Sequence, residues 1–420
     1  MPFSGSEYVS VIIIGGGQAG LSASFCLKER GIENHLILEK HRIAHSWRSE
    51  RWDSFCLVTP NHQCRLPGFH YDRNDPEGFM VKDEIVAFLE DYARSFNPPL
   101  REGVTVTSIN KRQGHFHITT NVGNWHCDDV IIAIGAYHTP ILPDGVENIP
   151  KDIQQIHSVD YRNPAQISAG GEILVVGSGQ SGCQIMEDLH LAGRKVHLCL
   201  GNAPRSPRRY RGKDAVTWLE EMGYYKTTFA EHPDQHKARS STNHYVTGRD
   251  GGREIDLRDF ALRGVKLYGY VEAIDEKGLQ TRKDIRDKLD AADESYNGIC
   301  QRIDDYLEHS EINAPEQCHY TPVWEPAEEP SRLDFSENSV SAIIWCIGFR
   351  PDFAFVKLPV FNWRGFPETT RGVTSVPGLY FLGLPWQHTW GSARFSGIAE
   401  DAAHVADQIR LHAPAAVATS

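Results

Sequence analysis

SVIIIGGGQAGLSASFCLKE, residues 10–29, is the stretch on which the fold turns. A β-branched run stops at three glycines and resumes with residues that suit a helix, so it reads as strand, tight turn and helix. Extended outward, Tyr8 to Ile14 is expected as a strand, Leu21 to Arg30 as a helix and Leu36 to Glu39 as a second strand, a βαβ unit. Each glycine has a distinct task. Gly15 permits the turn, Gly17 lets backbone approach a pyrophosphate, and Gly20 lets helix and strand pack closely. Gln18 and Ala19 lie at the mouth of the helix, where free N–H groups and about +0.5 charge favour phosphate. Glu39 ends the following strand, where an acid binds a ribose, and Lys40 follows it.

The pattern recurs. Strand Ile173 to Val176 leads into G-S-G-Q-S-G, which places Gly177, Gly179, Gln180, Ser181 and Gly182 before a helix at Ser181 to Leu191 and a strand at Val196 to Leu200. No acid occupies the ribose position here. Arg205, Arg208, Arg209, Arg211 and Lys213 follow instead, which suits a ribose 2'-phosphate and favours NADPH over NADH. A solvated basic loop, or a site for an acidic substrate, remains open for these five residues. Two dinucleotide cradles in one chain imply hydride passing from a nicotinamide to a second redox group. With no metal-ligand or haem pattern in the sequence, that group is expected to be FAD.

The expected fold is α/β, with two nested Rossmann-like dinucleotide-binding domains and a long α+β insertion in the second. Residues 1–150 and 339–420 are assigned to the FAD-binding domain, and 151–338 to the NADPH-binding domain with the insertion at 202–338. Proline punctuation between Pro140 and Pro164 marks the crossover. Further strands are expected around Val104 to Ile109, Phe116 to Thr120, Val130 to Ile134 and Ala342 to Ile347, and a helix over Asp83 to Phe96. Ile285, Leu289, Tyr296, Ile299, Ile303 and Leu307 trace one face of a helix about 25 residues long.

Composition narrows the class. A chain of 420 residues exceeds what one core usually fills, so two domains are expected. The net charge of -12 argues against nucleic-acid partners, and the apolar run Val9 to Ile14, with no basic residues before it, is expected to be too short for a signal segment or membrane span. Nine scattered cysteines, with no C-x-x-C pair, fit a cytoplasmic protein without a disulfide framework or a redox dithiol.

With both glycine motifs in place, the chain resembles the class B flavin monooxygenases and related two-dinucleotide flavoproteins. I-I-A-I-G-A-Y-H-T-P at 131–140, containing Ala133 and Gly135, and W-C-I-G-F-R-P-D at 345–352, containing Gly348, are similar to that family's interdomain linkers. P-G-L-Y-F-L-G-L at 377–384 looks like its second FAD motif, although Leu384 rather than Asp follows Gly383. Of its F-x-G-x-x-x-H-x-x-x-Y signature, His157 and Tyr161 are kept, with Lys151 and Ile153 at the Phe and Gly positions. R-W-D-S-F-C-L-V-T-P-N at 51–61, P-R-R-Y-R-G-K-D at 207–214 and W-G-S-A-R-F-S-G at 390–397 are similar to a bacterial subfamily of flavin-dependent oxidoreductases encoded beside nitrilases.

The resemblance implies hydride transfer from NADPH to FAD, reaction with O2 to a C4a-hydroperoxide, and oxygenation of a small organic substrate at N, S or C. It also implies site roles. Asn61 would be an amide beside the flavin, with a turn-forming asparagine as its alternative. Trp47 and Arg48 would run along the flavin, and Gly397 and Ile398 would open a last helix whose N-terminus faces the flavin ring. Trp386 and Trp390 would wall the substrate pocket and His388 would act as acid or base, against the alternative of a packed loop with a structural histidine. Two rivals stay open: a flavin reductase without oxygen insertion, and a non-catalytic dinucleotide-binding sensor or scaffold. The expected partners are a small molecule and O2, with no metal and with a homodimer left open.

Overall fold

The computed structural model describes residues 7–412 apart from positions 169 and 241. Five parallel strands form the first sheet, in spatial order Leu379–Phe381, Asp129–Ile132, Val11–Ile14, His35–Leu38, Leu100–Arg101. The three inner strands are buried along their whole length, which is why they read as continuous apolar runs rather than as alternating ones. Their side chains still divide between two faces. Val11, Ile13 and Ile131 pack on the helices Gln18–Glu29, Lys82–Phe96 and Ile398–His412. Ile12, Ile14, Val130 and Ile132 pack on an antiparallel sheet made by Val106–Arg112, His115–Thr120 and Asn124–Cys127. The expected single strand Tyr8 to Ile14 is interrupted, because Glu7–Tyr8 pairs in parallel with Asn124–Cys127 at the edge of that second sheet layer.

The second sheet repeats the plan, in the order Gln154–His157, Val340–Trp345, Glu172–Val176, Val196–Cys199, Lys266–Tyr268, all parallel. One face packs on the helix Gln180–Leu191, and the other on an antiparallel meander of Val271–Asp275, Gly278–Thr281 and Arg332–Asp334. In both sheets the glycine-loop strand is central, flanked on one side by the strand that follows it in the chain and on the other by a strand that returns much later. That arrangement creates a crevice at the carboxyl ends, where dinucleotides bind.

Two assignments change. Val340–Trp345 is an inner strand of the second sheet, so the return to the first domain falls after residue 345 and not at 339. Residues 202–338 are only partly an insertion, since they supply the edge strand Lys266–Tyr268 and the meander. The two linkers meet as a ribbon, with Thr139–Pro140 antiparallel to Phe349–Arg350. The long helix is Ile285–His309, 25 residues, and its apolar face is buried against both the second-domain core and a smaller cluster around Tyr210 and Trp218. Among the described residues no helix is long and apolar enough to cross a membrane.

Candidate functional site: two facing glycine cradles

The first cradle has the geometry that the glycine spacing implied. Gly15 has φ +105°, and a Cβ there would stand 2.6 Å from the Ala133 carbonyl oxygen, at the end of the neighbouring strand. A Cβ on Gly20 would land on the Gly15 carbonyl, whereas one on Gly17 would meet nothing within 4 Å. Gly17 thus borders open space at the mouth of the Gln18–Glu29 helix. That helix start carries no side-chain cap and no acidic residue in its first turn, so its N–H groups and dipole face the space uncompensated. An FAD pyrophosphate fits this cradle. Glu39 lies beside it, one carboxylate oxygen accepting from Gly16 N at 2.5 Å and the other from His41 N at 2.7 Å. Lys40 is exposed next to it.

The second cradle matches the first atom for atom in its close contacts. A Cβ on Gly177 (φ +102°) would lie 2.6 Å from the Cys346 carbonyl, one on Gly182 would land on the Gly177 carbonyl, and one on Gly179 would meet only Thr242 Cγ2 at 3.4 Å. Its helix is likewise uncapped, with no acid in the first turn, so a second dinucleotide pyrophosphate fits here. Ser181 is half-buried at the helix start, while Gln180 donates to the Val246 carbonyl. In place of Glu39, Ser178 Oγ accepts from Gly201 N at 2.9 Å, which leaves the ribose position without an anion.

The arginines that follow do not converge on that position. Arg205 is 2% exposed, ion-paired to Asp293 (2.9 Å) and Asp256 (3.3 Å), with its guanidinium between Tyr296 and Tyr320. Arg208 is 1% exposed, paired to Asp214 at 2.5 Å, and donates to the Val58 carbonyl of the first domain. Arg211 is taken by Asp304 and Lys213 by Glu221. The four charges are spent on internal carboxylates, so only exposed Arg209, bonded to the Gly251 carbonyl at 3.3 Å, is left from the run. What the sequence reading missed is Lys288. The long helix brings its ammonium to the side chain of Asn202, next to Gly201 and so to the ribose position. No local pattern marks it, because it lies 87 residues beyond Gly201.

Between the cradles, the structure gathers many of the remaining residues. Trp47 donates to Gln18 Oε1 at 3.3 Å and stacks on Phe395 at 5.7 Å, while Gln18 donates to the Ala393 carbonyl at 3.4 Å. Gly383 sits against the same helix start, where a Cβ would be 2.8 Å from Ala19 Cβ. Gly135 and Gly348 turn the two linkers with φ +77° and +94°. Ile398 opens the last helix, but its N–H already donates to the Arg394 carbonyl at 3.0 Å, as does that of Gly397 at 3.3 Å. Arg48 is turned away to Glu90 at 2.6 Å.

Trp390 and Trp386 belong to a loop covered by residues of the second domain. Tyr225 stacks on Trp390 at 4.5 Å, His232 meets Trp386 edge-on at 5.1 Å, and Phe229 N donates to the His388 carbonyl. The His388 ring is half-buried, and burial moves its pKa down. Asn61 has the placement of its alternative reading. It is 2% exposed, its Nδ2 donates to the Asp75 carbonyl at 2.9 Å and its Oδ1 accepts from Met80 N at 2.8 Å, so the amide stitches a turn. Tyr161 is also structural, donating to buried Asp188 at 2.7 Å. His157 is buried against Phe349 of the linker, its Nδ1 accepting from Val159 N at 3.3 Å.

Comparison with known proteins agrees with this architecture. A family model described as pyridine nucleotide-disulphide oxidoreductase matches residues 12–297. An uncharacterized CzcO-like oxidoreductase of Geobacillus kaustophilus is 31% identical over 407 residues, 96% of this chain and 99% of the relative. Indole-3-pyruvate monooxygenase YUCCA6 of Arabidopsis thaliana is 28% identical over 200 residues, 46% of this chain and 48% of that protein. The solved flavin-containing monooxygenase of Stenotrophomonas maltophilia superposes with a TM-score of 0.66 at 20% identity, over 97% of this chain and 99% of the other.

Proposed function

The chain belongs to the pyridine nucleotide-disulphide oxidoreductase family, and from that premise we propose that it is an FAD-dependent, NADPH-consuming monooxygenase of a small organic substrate. The observation that carries the reading is the pair of uncapped cradles on two sheets joined by one ribbon, each with room for a Cβ only at its middle glycine. Such a pair suits one electron path between two dinucleotides. Flavin, when bound, supplies hydride acceptance from the nicotinamide and activation of O2.

The residues of the chain do the rest. Gly15, Gly17 and Gly20, with the N–H groups of Gln18 and Ala19, would hold the FAD pyrophosphate, and Glu39 would take ribose hydroxyls in place of its present backbone donors. Gly177, Gly179 and Gly182, with Gln180 and Ser181, would hold the nicotinamide cofactor. Lys288 would favour the 2'-phosphate from beside Asn202, in competition with Asp284 at 3.5 Å. Tyr225, Phe229 and His232 close over the loop of Trp386, His388 and Trp390 and would keep water from the reacting atoms.

The family name also raises disulfide reduction, which the buried thiols do not support. Burial pushes Cys26, Cys64 and Cys300 up to about 12 and Cys56 up to about 11, far from the thiolate such chemistry needs. The test is turnover of the flavin-loaded enzyme under labelled O2 with a panel of organic acids, amines and sulfides. One labelled oxygen in a product, with NADPH consumed in equal amount, is expected. NADPH consumption that yields peroxide alone with every substrate would leave a reductase, and cofactor binding without turnover a sensor.

A further inference from the structure

The two glycine loops carry a glutamine at the same position, Gln18 in GGGQAG and Gln180 in GSGQSG. Both side chains reach out of their loops. Gln18 donates to the Ala393 carbonyl at 3.4 Å, and Gln180 donates to the Val246 carbonyl, which also accepts from Gln184 at 3.0 Å. Ala393 and Val246 belong to different domains, yet their neighbours in the chain are bonded to each other. Arg394, directly after Ala393, donates to Asn243 Oδ1 at 2.8 Å, and Asn243 lies shortly before Val246. One path of hydrogen bonds and short backbone thus joins the starts of the two cradle helices, through Gln18, Ala393, Arg394, Asn243, Val246 and Gln180.

Each half of the path is anchored in its own domain. Tyr245 N donates to the Pro204 carbonyl at 2.9 Å, and Tyr245 and Val246 are buried. On the other side, Arg394 N donates to the Gly391 carbonyl at 2.8 Å and the Arg394 carbonyl accepts from Ile398 N at 3.0 Å, so the residue belongs to the turn that opens the last helix. Its guanidinium lies over Trp390, 3.6 Å from the ring centroid, and donates to the Trp390 carbonyl, which holds the fork in one orientation. Asn243 follows Thr242, whose methyl carbon is 3.4 Å from where a Gly179 Cβ would stand, at the mouth of the second cradle. The Arg394–Asn243 bond therefore ties the domains beside the cradles, whereas the ribbon of Thr139–Pro140 and Phe349–Arg350 ties them at the linkers. Hydride transfer is sensitive to such a tie. Donor and acceptor carried on separate sheets react only in near contact, and a misplacement of about 1 Å costs on the order of a hundredfold in rate.

We propose that Arg394 and Asn243 are positioning residues that hold the two cradles in register and so set the approach of the nicotinamide to the flavin. The proposal rests on the two-dinucleotide reading above, and its test does not depend on oxygen transfer. FAD-loaded enzyme is reduced by NADPH in an anaerobic stopped-flow experiment. Asn243→Leu removes the acceptor and should lower the limiting rate of flavin reduction at least about tenfold, with the NADPH half-saturation within about twofold of wild type. The long-wavelength charge-transfer absorbance of FAD with NADP+ should weaken with it. Asn243→Asp keeps an acceptor for the guanidinium and should keep the rate within about threefold. An unchanged rate in Asn243→Leu, an equal loss in Asn243→Asp, or a rise in half-saturation alone overturns the proposal, the last by making Asn243 a cofactor contact. A slower rate that merely follows lost FAD and a lower Tm overturns it too, by reducing the pair to packing. If NADPH does not reduce the wild-type flavin, the functional reading fails by itself. Hydrogen exchange at the Arg394 and Ile398 amides, faster in Asn243→Leu and not in Asn243→Asp, would then still report the tie, and unaltered exchange would remove it.

Discussion

Lys288 and Arg205 show how little a basic side chain reveals until its neighbours are known. Arg205 follows the second cradle closely in sequence, yet its charge is consumed by Asp293 and Asp256. Lys288 is remote in sequence, but it reaches Asn202 beside the second glycine loop, with Asp284 at 3.5 Å as an acidic neighbour. Lys288→Gln should therefore raise the NADPH half-saturation about tenfold, the loss of one phosphate contact, and leave that for NADH unchanged. Parallel NADPH and NADH oxidation assays of the variant check this, and an equal change for both cofactors would remove Lys288 from the phosphate site. Asn61 carries the same lesson. Its residue type suited either a turn or a flavin contact, and only the bonds to the Asp75 carbonyl and Met80 N distinguish them.

At the scale of elements, the glycine loops were legible because their chemistry is local. A strand that must enter a helix across a phosphate-sized gap can use only a left-handed first glycine and a third glycine with no room for Cβ. The middle positions differ in kind, since Gly17 has φ -80° and Gly179 φ -71°, both open to an L-residue. Gly17→Ala should fold with an unchanged Tm and lose flavin, giving colourless protein. Gly179→Ala should stay yellow but lose NADPH-driven flavin reduction. Gly20→Ala, which drives a methyl into the Gly15 carbonyl, should instead fail to accumulate as folded protein. Spectra and melting curves of the three variants separate these outcomes. The Ile285–His309 helix was equally readable from its spacing, whereas Val340–Trp345 was assigned to the wrong sheet, because an apolar run announces a buried strand without naming its neighbours.

At the scale of the molecule, the two domains are joined by more than the linker ribbon. Buried Asp188, on the second cradle's helix, accepts from Ser54 of the first domain at 2.6 Å, Tyr161 of the crossover at 2.7 Å and Arg249 at 2.9 Å. Asp188→Ala strands all three donors and should cost about 3 kcal/mol, seen as a Tm lower by several degrees, with flavin still bound. Asp188→Asn keeps an acceptor and should lose less. An unchanged Tm in the Ala variant would show that the junction does not couple the domains. This junction also gives Tyr161 its place, as a brace on the second cradle's helix.

The sequence by itself determined the α/β class, the two glycine loops between strand and helix, and the order of their strands and helices. Each of these follows from chemistry within about 30 residues, where glycine stereochemistry and apolar period act directly. Only the tertiary structure decided the partners of the charges: which arginines are spent on carboxylates, and which lysine meets the Asn202 side chain beside the second glycine loop. Ion pairing depends on distances between residues far apart in the chain, and no local pattern encodes them.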